Sequence, residues 1–457
     1  MRGMRRLALV TGGCLAAAAA VAVTLAAGSS PSRSLPLRSP AKATSSLSAV
    51  VSDQFGSRLE RIDPATFAAL HASSRVAWQD GWVRSPGGKL LAVSTNPQSS
   101  NVSFSTLHFA SASSLRWQGH GIRLHGYFQA AIWPRRGTLY ALVGNCCGPG
   151  LTLERIDTAA RKIVARTGIP GPVLEIERSA TGLVLLEGGE YNEIAPARLL
   201  AIGADGSVRS VRLDQIVAGL HWDQSSQDPI GTIRQPGLAV DAAGGVAYVL
   251  DPDGLVATVQ LADLSVAYHR LGSHSLLDRL SAWFTPAAEA KGANGPTLTA
   301  RWLGDGLIAL TGNDETATPQ KDGTLVASSR PLGLRIVDTS DWSSRLLDPE
   351  AGSVLVADGV LLASGSSWSS DATGNTSSGE GIAAYNPDGS LRWRRRAGAQ
   401  ISLIAAYGNR AVVQNLGTAT TAPGPLQLVD TGTGRAVRTL RGATWAWLLL
   451  GSGSAQP

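Results

Sequence analysis

Two adjacent thiols, Cys146 and Cys147, stand in the run Asn145-Cys146-Cys147-Gly148-Pro149-Gly150. The only other cysteine is Cys14, close to the N-terminus. If the chain is exported, these thiols meet an oxidising compartment with no third exported cysteine to pair with. The expectation is an intramolecular vicinal disulfide that stiffens the loop carrying it, with the flanking Gly and Pro accommodating the distorted backbone.

Other reactive groups are dispersed. The chain has no Gly-x-Ser-x-Gly elbow, no phosphate loop and no His-Glu-x-x-His pair. His120 and His125 lie five apart, as do His269 and His274, an odd offset that places each pair on opposite faces of a strand. Asp251-Pro252-Asp253-Gly254 has the look of a calcium loop but lacks the later oxygen ligands, and it falls where a hairpin turn is required. Hence no catalytic residue and no metal site is assigned. Tryptophan is the more informative side chain: its 12 copies exceed both Tyr and Phe. Trp78, Trp117, Trp133, Trp393, Trp445 and Trp447 fall in strand-like runs and are expected to pack between sheets. Trp283, Phe284, Trp342 and Trp368 fall in or beside irregular stretches and are the candidates for an exposed binding face.

The elements that must position these residues form a repeat. Apolar runs at Leu90–Ser94, Thr138–Val143, Leu183–Leu186, Val246–Leu250, Leu307–Leu310, Val360–Ala363 and Ala411–Gln414 are each followed by a hairpin phrase. The phrases begin at Leu59, Leu107, Leu153, Leu199, Val256, Leu334, Ile382 and Leu426, mostly 44–57 residues apart with one gap of 78. The clearest phrase, GEGIAAYNPDGSLRWRRR (Gly379–Arg396), sets two alternating runs around Asp388-Gly389, a pair that tolerates the positive φ of a tight turn. Units of this length built from short strands predict an all-β β-propeller. Eight hairpins predict eight blades; seven result if one unit is merged. The first unit lacks room for an innermost strand, and Ala443–Leu450 is a spare apolar strand, so the two ends are expected to share one blade and leave no open edge.

Inside the long gap, Gly272–Thr297 predicts a short helical insertion over one face. Ser275 and Asp278 have capping-box spacing, Leu276, Leu280 and Trp283 share helical spacing, and Pro286 ends the run. Three neighbouring segments, Asp223–Pro236, Thr311–Pro331 and Ser364–Glu380, read as irregular. If they emerge on the same side, that face is expected to carry the partner.

Arg2, Arg5 and Arg6 precede Leu7–Ala27, 21 residues without charge, followed by Gly-Ser-Ser-Pro. Residues 1–28 therefore read as a signal peptide or a retained transmembrane anchor with an N-terminal apolar helix. Only Leu7–Val10 and small residues precede Cys14, too short a core for a lipidation site. Residues 29–46 read as a flexible linker, 47–450 as the propeller and 451–457 as a loose tail. The net charge of +6 falls to +3 once the three N-terminal arginines are set aside, which excludes a nucleic-acid footprint.

LVDTGTGRAVR (Leu428–Arg438) resembles the docking motif of pyrroloquinoline-quinone-type propellers, Ala-x-Asp-x-x-Thr-Gly-x-x-x-Trp. Asp430, Thr433 and Gly434 fall in phase, and Arg438 replaces the Trp. AYNPDGSLRW (Ala384–Trp393) is similar but one residue short, and the same phrases resemble bacterial surface propellers of the YVTN type. The quinoprotein resemblance implies that a vicinal disulfide at Cys146 and Cys147 could lie against a cofactor, pyrroloquinoline quinone with calcium. The calcium ligands, catalytic Asp and stacking aromatic of those enzymes have no counterparts that can be placed here. The reading is therefore a monomeric, extracytoplasmic, non-catalytic binding or scaffold propeller with no cofactor. Its partner would be an extracytoplasmic protein or small ligand, with the membrane engaged through residues 7–27 if these are uncleaved. The alternative is a quinoprotein dehydrogenase or lyase using the central channel.

Overall fold

The computed structural model describes residues 47–53, 56–63, 66, 68–96, 104–144, 150–190, 192–223, 230–272, 294–319, 325–357, 359–371, 374–417, 423–440 and 445–450. Residues 1–46 with Cys14, residues 451–457, residues 273–293, where a helical insertion was expected, and Cys146 and Cys147 lie outside the described residues. Among the described residues, no helix is long and apolar enough to cross a membrane.

The chain is all-β, and its strands follow the sequence repeat. The first run holds β1 (Leu47–Asp53), β2 (Gly56–Ile62) and β3 (Ala69–Ala72). The second holds β4 (Trp78–Arg84), β5 (Leu90–Asn96), β6 (Thr106–Ser111) and β7 (Trp117–Arg123). The third holds β8 (Tyr127–Arg135), β9 (Thr138–Gly144), β10 (Leu151–Asp157) and β11 (Lys162–Ile169). The fourth holds β12 (Val173–Arg178), β13 (Leu183–Glu187), β14 (Ile194–Ile202) and β15 (Val208–Asp223), extended by β16 (Ile230–Arg234). The fifth holds β17 (Gly237–Asp241), β18 (Val246–Leu250), β19 (Leu255–Gln260) and β20 (Val266–Arg270).

The sixth run is β21 (Gly295–Gly304), β22 (Leu307–Pro319), β23 (Leu325–Pro331), β24 (Leu334–Asp338) and β25 (Ser344–Asp348). The seventh is β26 (Ser353–Ala357), β27 (Val360–Asp371), β28 (Gly374–Tyr385) and β29 (Leu391–Arg395). The eighth is β30 (Ile401–Tyr407), β31 (Arg410–Asn415), β32 (Leu426–Asp430) and β33 (Ala436–Leu440). The last strand, β34 (Trp445–Leu450), returns to the first sheet and pairs antiparallel with β1, Ser48 opposite Leu450 and Ser52 opposite Trp445. Within each run neighbouring strands are antiparallel and follow one another in sequence, the meander of a propeller blade, except that in the sixth β24 pairs with β22 and β23 lies outside the meander.

Every apolar run and hairpin phrase expected from the repeat is a strand or strand pair here. The second strands are buried on both faces because a sheet lies on either side of them. In β13, LVLLE, all five residues are buried. The core consequently sits between runs. Leu303, Ala309, Leu334 and Ile336 of the sixth pack against Leu361, Ala363, Ala383 and Tyr385 of the seventh. Ala49, Val51 and Ile62 of the first pack against Val412, Leu426 and Leu428 of the eighth.

Most hairpin turns at the outer strands are set by aspartates, the β6–β7 turn by Ser111. Asp430 Oδ1 accepts from Thr433 N at 2.9 Å and Thr433 Oγ1 at 3.0 Å. Asp388 Oδ1 does the same for Ser390 N and Oγ, at 2.9 and 2.7 Å. Both of these turns also receive a side chain from the preceding run. Trp393 Nε1 donates to Thr431 O at 2.9 Å, and its ring lies where a Cβ on Gly434 would stand, 2.6 Å away. Gly434 also has φ +67°, so the turn needs glycine twice over. Tyr140 OH donates to Asp205 O, and Arg345 Nη2 to Asp388 O. Arg438, standing where the docking motif has Trp, sends Nη1 to Thr66 O in the first run at 2.8 Å.

Candidate functional site

The two ends of the blades differ. The end with the third-to-fourth-strand turns is trimmed by the aspartate turns just described. The other carries the second-to-third-strand turns and the passages from each outer strand to the next inner one. Three segments read from sequence as irregular extend from this second end, and they are strands. Thr311–Pro331 contains the distal half of β22 and all of β23; Ser364–Glu380 contains the distal halves of β27 and β28; Asp223–Pro236 contains the end of β15 and β16. Their Ser, Gly and Thr content hides them from an apolar-alternation test, because neither face of these extensions needs a hydrophobic row.

The extensions also find one another. β23 pairs with β27, Ala327 opposite Ser370, Ser328 opposite Ser369 and Ser329 opposite Trp368, which fuses the sixth and seventh runs into one nine-stranded sheet. On the other side Thr232 bridges Asn294, and Gln235 bridges Thr297, both in parallel. Asn294 O accepts from Ile233 N at 2.9 Å, and Asn294 Oδ1 accepts from Ala317 N of β22 at 2.7 Å. One asparagine thus joins the β15–β16 extension to the β22–β23 extension, and a second β layer runs across one end of the propeller.

The layer has two chemically different faces. Antiparallel partners share a face, so Thr316, Ser328, Ser369 and Thr376 form one row across β22, β23, β27 and β28. Thr316 and Ser328 hydroxyls lie 2.5 Å apart, Ser369 and Thr376 2.6 Å, and in the adjacent row Ser367 and Ser378 2.7 Å. Arg330, also in that adjacent row, pairs with Asp314 at 2.8 Å. The reverse face carries Glu315, Ala317, Ser329 and Trp368. Ala317 and Ser329 are buried, and Ser329 Oγ donates to Glu315 at 2.8 Å. Burial pushes Glu315 above the usual carboxylate range, the Ser329 hydrogen bond opposing it. Trp368 stands on this reverse face at 36% exposure, among the most exposed large hydrophobic side chains of the described residues.

Of the other aromatic candidates, Trp342 lies in the β24–β25 turn at the opposite end. It is half-buried, stacked on His269 with ring centroids 4.2 Å apart and close to Tyr248. Trp342 and Trp368 are therefore not brought together. Trp283 and Phe284 lie outside the described residues. Trp133 and Trp393 are buried between sheets, as their strand positions implied.

Sequence reasoning missed the buried acids. Glu154 is fully buried with Oε1 2.8 Å from His125 Nδ1 and 3.1 Å from Arg166 Nε. Asp348 Oδ2 accepts from Tyr385 OH at 2.8 Å and from Arg394 Nη2 at 2.9 Å. Burial, reinforced by Asp348, pushes the Tyr385 phenol up to about 12. Glu187 is 2% exposed with Arg198 3.9 Å away, too far to offset burial, which pushes it up to about 7. On the inner strands Glu175 accepts from Leu238 N, and protein surrounding it raises its pKa well above the usual range although some of its surface still meets solvent. Crowding lowers nearby Arg178 to about 10. Isolated Glu, Asp and Arg letters in strands were the only sequence signal for these groups. Asp251-Pro252-Asp253-Gly254 is the β18–β19 turn, with Arg234 Nη2 donating to both aspartates. Among the described residues no three His, Cys, Asp or Glu side chains gather as metal ligands. No chemistry is routed through pyrroloquinoline quinone.

No protein-family model matches the chain, and no curated protein matches it. Among solved structures it is similar to the dihydro-heme d1 dehydrogenase NirN in complex with DHE, at 14% identity, TM-score 0.46, covering 90% of this chain and 76% of that one. It is similar to apo AztD from Citrobacter koseri at 11% identity and TM-score 0.46, covering 89% and 98%. It is also similar to BamB from Moraxella catarrhalis at 12% identity and TM-score 0.41, covering 80% and 90%. Likeness at this level carries no functional argument. The chain's own sheet topology makes it a β-propeller repeat protein.

Proposed function

We propose that the chain is a closed ring of eight blades working outside the cytoplasmic membrane as a non-catalytic binding or scaffold module, with the second β layer as its binding surface. The observation carrying this reading is the layer itself. Three hairpin extensions leave the apolar core, contribute little to it, and are nonetheless held together by paired strands and by Asn294. A rigid polar platform on a stable ring is the arrangement expected of a recognition surface. The β1–β34 pairing, the Arg438–Thr66 hydrogen bond and the shared core of the first and eighth runs support ring closure. Location outside the membrane rests on the basic flank and apolar run at the N-terminus.

The test replaces the distal hairpins Asp314–Arg330 and Ser366–Ser378 with short turns in the full chain. Circular dichroism should keep its strand signal, while the variant loses the components of a cell-envelope extract that the intact chain retains. Equal retention by the trimmed chain would place the binding surface elsewhere.

A further inference from the structure

We infer that the outward face of the second β layer binds a neutral polysaccharide, a proposal that rests on the layer being the binding surface. Thr316, Ser328, Ser369 and Thr376 cross four strands in one row, with Ser367 and Ser378 beside them. Thr316, Thr376 and Ser378 are exposed, and the reverse face holds the buried Ala317 and Ser329, so the hydroxyl rows look outward. Adjacent strands lie about 4.8 Å apart, with paired hydroxyls drawn to 2.5–2.7 Å across them, and alternate residues repeat about every 7 Å along a strand, a fixed planar array.

Each hydroxyl pair retains binding capacity. In the Thr316–Ser328 and Ser369–Thr376 pairs one hydroxyl donates to the other, which leaves the second proton free to donate outward and several lone pairs free to accept. Donation polarises the accepting hydroxyl and strengthens its outward bond. A surface offering closely spaced donors and acceptors together matches a ligand that does the same along a stiff chain, which is a polyol rather than an anion or an apolar segment. Charge points the same way. The two rows carry one cation, Arg330, and it is paired with Asp314 at 2.8 Å, so the lattice holds no net charge for an anionic polymer. The main chain at Ala327–Ser329 of β23 and Trp368–Ser370 of β27 is paired on both sides, with each other and with β22 and β28, which leaves side-chain hydroxyls to do the recognising there.

The experiment uses the full chain and a panel of insoluble and soluble neutral glycans, cellulose, chitin and a soluble β-glucan, in co-sedimentation and native-gel retardation. Heparin serves as the anionic comparator. At least one neutral glycan should be retained, with little change between about 0.05 and 0.5 M salt, since no counterions are released. The Thr316→Val/Ser328→Ala/Ser369→Ala/Thr376→Val variant should bind about tenfold more weakly, the loss of a few modest hydrogen bonds. Should that variant fail to fold by circular dichroism, Ser367→Ala/Ser378→Ala carries the test with a weakening in the same direction. Undiminished binding by a folded variant, binding only to heparin, or no neutral glycan bound by the intact chain would each overturn the proposal. If no glycan binds but trimming the hairpins still abolishes envelope capture, the polysaccharide is wrong and the binding layer stands. If trimming changes nothing, both fall.

Discussion

Strand β27 passes through two environments without a break in its backbone. Its first half, Val360-Leu361-Leu362-Ala363, is buried between neighbouring sheets; its second half, Ser364–Asp371, reads SGSSWSSD and lies in the projecting layer. β22 makes the same transition from Leu307–Leu310 to Thr311–Pro319. Both halves lie in antiparallel ladders, with a register shift at Gly365 of β27 and an exchange of one partner strand for β23, so the kind of hydrogen bonding does not distinguish them. In the blade, each buried Leu adds roughly 1.5–3 kcal/mol through removal from water. In the layer that contribution is nearly absent, and cross-strand pairs of about 0.2–1 kcal/mol take its place. The blade half is therefore expected to determine stability, and the layer half to be available for recognition at little cost to the fold.

The sharpest way to break this comparison is to attack the blade body at its seam. Truncation before Ala443 removes β34 from the edge of β1 and should destabilise the fold by on the order of 5 kcal/mol or abolish cooperative unfolding. Thermal denaturation followed by circular dichroism reads the outcome, and an unchanged transition would show that the strand pairing is dispensable. Next in size is Trp393→Ala, which removes both the hydrogen bond to Thr431 O and the ring seated over Gly434. A loss of about 3–5 kcal/mol in urea unfolding is expected; a loss below about 1 kcal/mol would mean that inter-blade docking does not depend on this side chain.

Glu187 sharpens the comparison through pH. Its folded value of about 7 lies above the ordinary 4.5 because burial disfavours the carboxylate. Between those two values the folded chain keeps a proton that the unfolded chain releases. Stability should therefore fall as pH rises from about 4.5 to about 7 and level off beyond. The drop should be on the order of 2 kcal/mol, less than the full shift because nearby solvent screens the charge. Glu187→Gln should flatten that slope in denaturation curves taken across the range; an unaltered slope would assign the pH dependence to other groups.

The smallest effect is expected in the layer. Trp368→Ala removes a partly exposed ring and should change unfolding free energy by no more than about 0.5–1 kcal/mol. Set beside Trp393→Ala, the pair measures directly how differently the two environments use one residue type. Equal losses would show that the layer is part of the core.

The hairpins beginning at Leu199, Ile382 and Leu426 were legible because an apolar–polar alternation with period two, broken by Asp and Gly, has few alternatives to a β-strand pair. Their spacing made the units legible as a repeat for the same reason. The extensions at Thr311–Pro331 and Ser364–Glu380 were not legible as strands, since a polar segment pairs only when another edge is at hand, and the edge that joins the two extensions lies about forty residues away in the chain. Trp342 and Trp368 looked alike in sequence for a related reason. Each stands beside a turn, and only the three-dimensional arrangement puts one against His269 and leaves the other at the surface.

By itself the sequence determined the propeller class, the strand rhythm and the turns, because these depend on local alternation and on the φ angles that Asp and Gly tolerate. Tertiary structure alone decided which acids are buried, which side chains dock on the next blade, and that three polar hairpins merge into one layer. Those outcomes depend on distances between residues far apart in the chain, and a one-dimensional pattern contains no term for such distances.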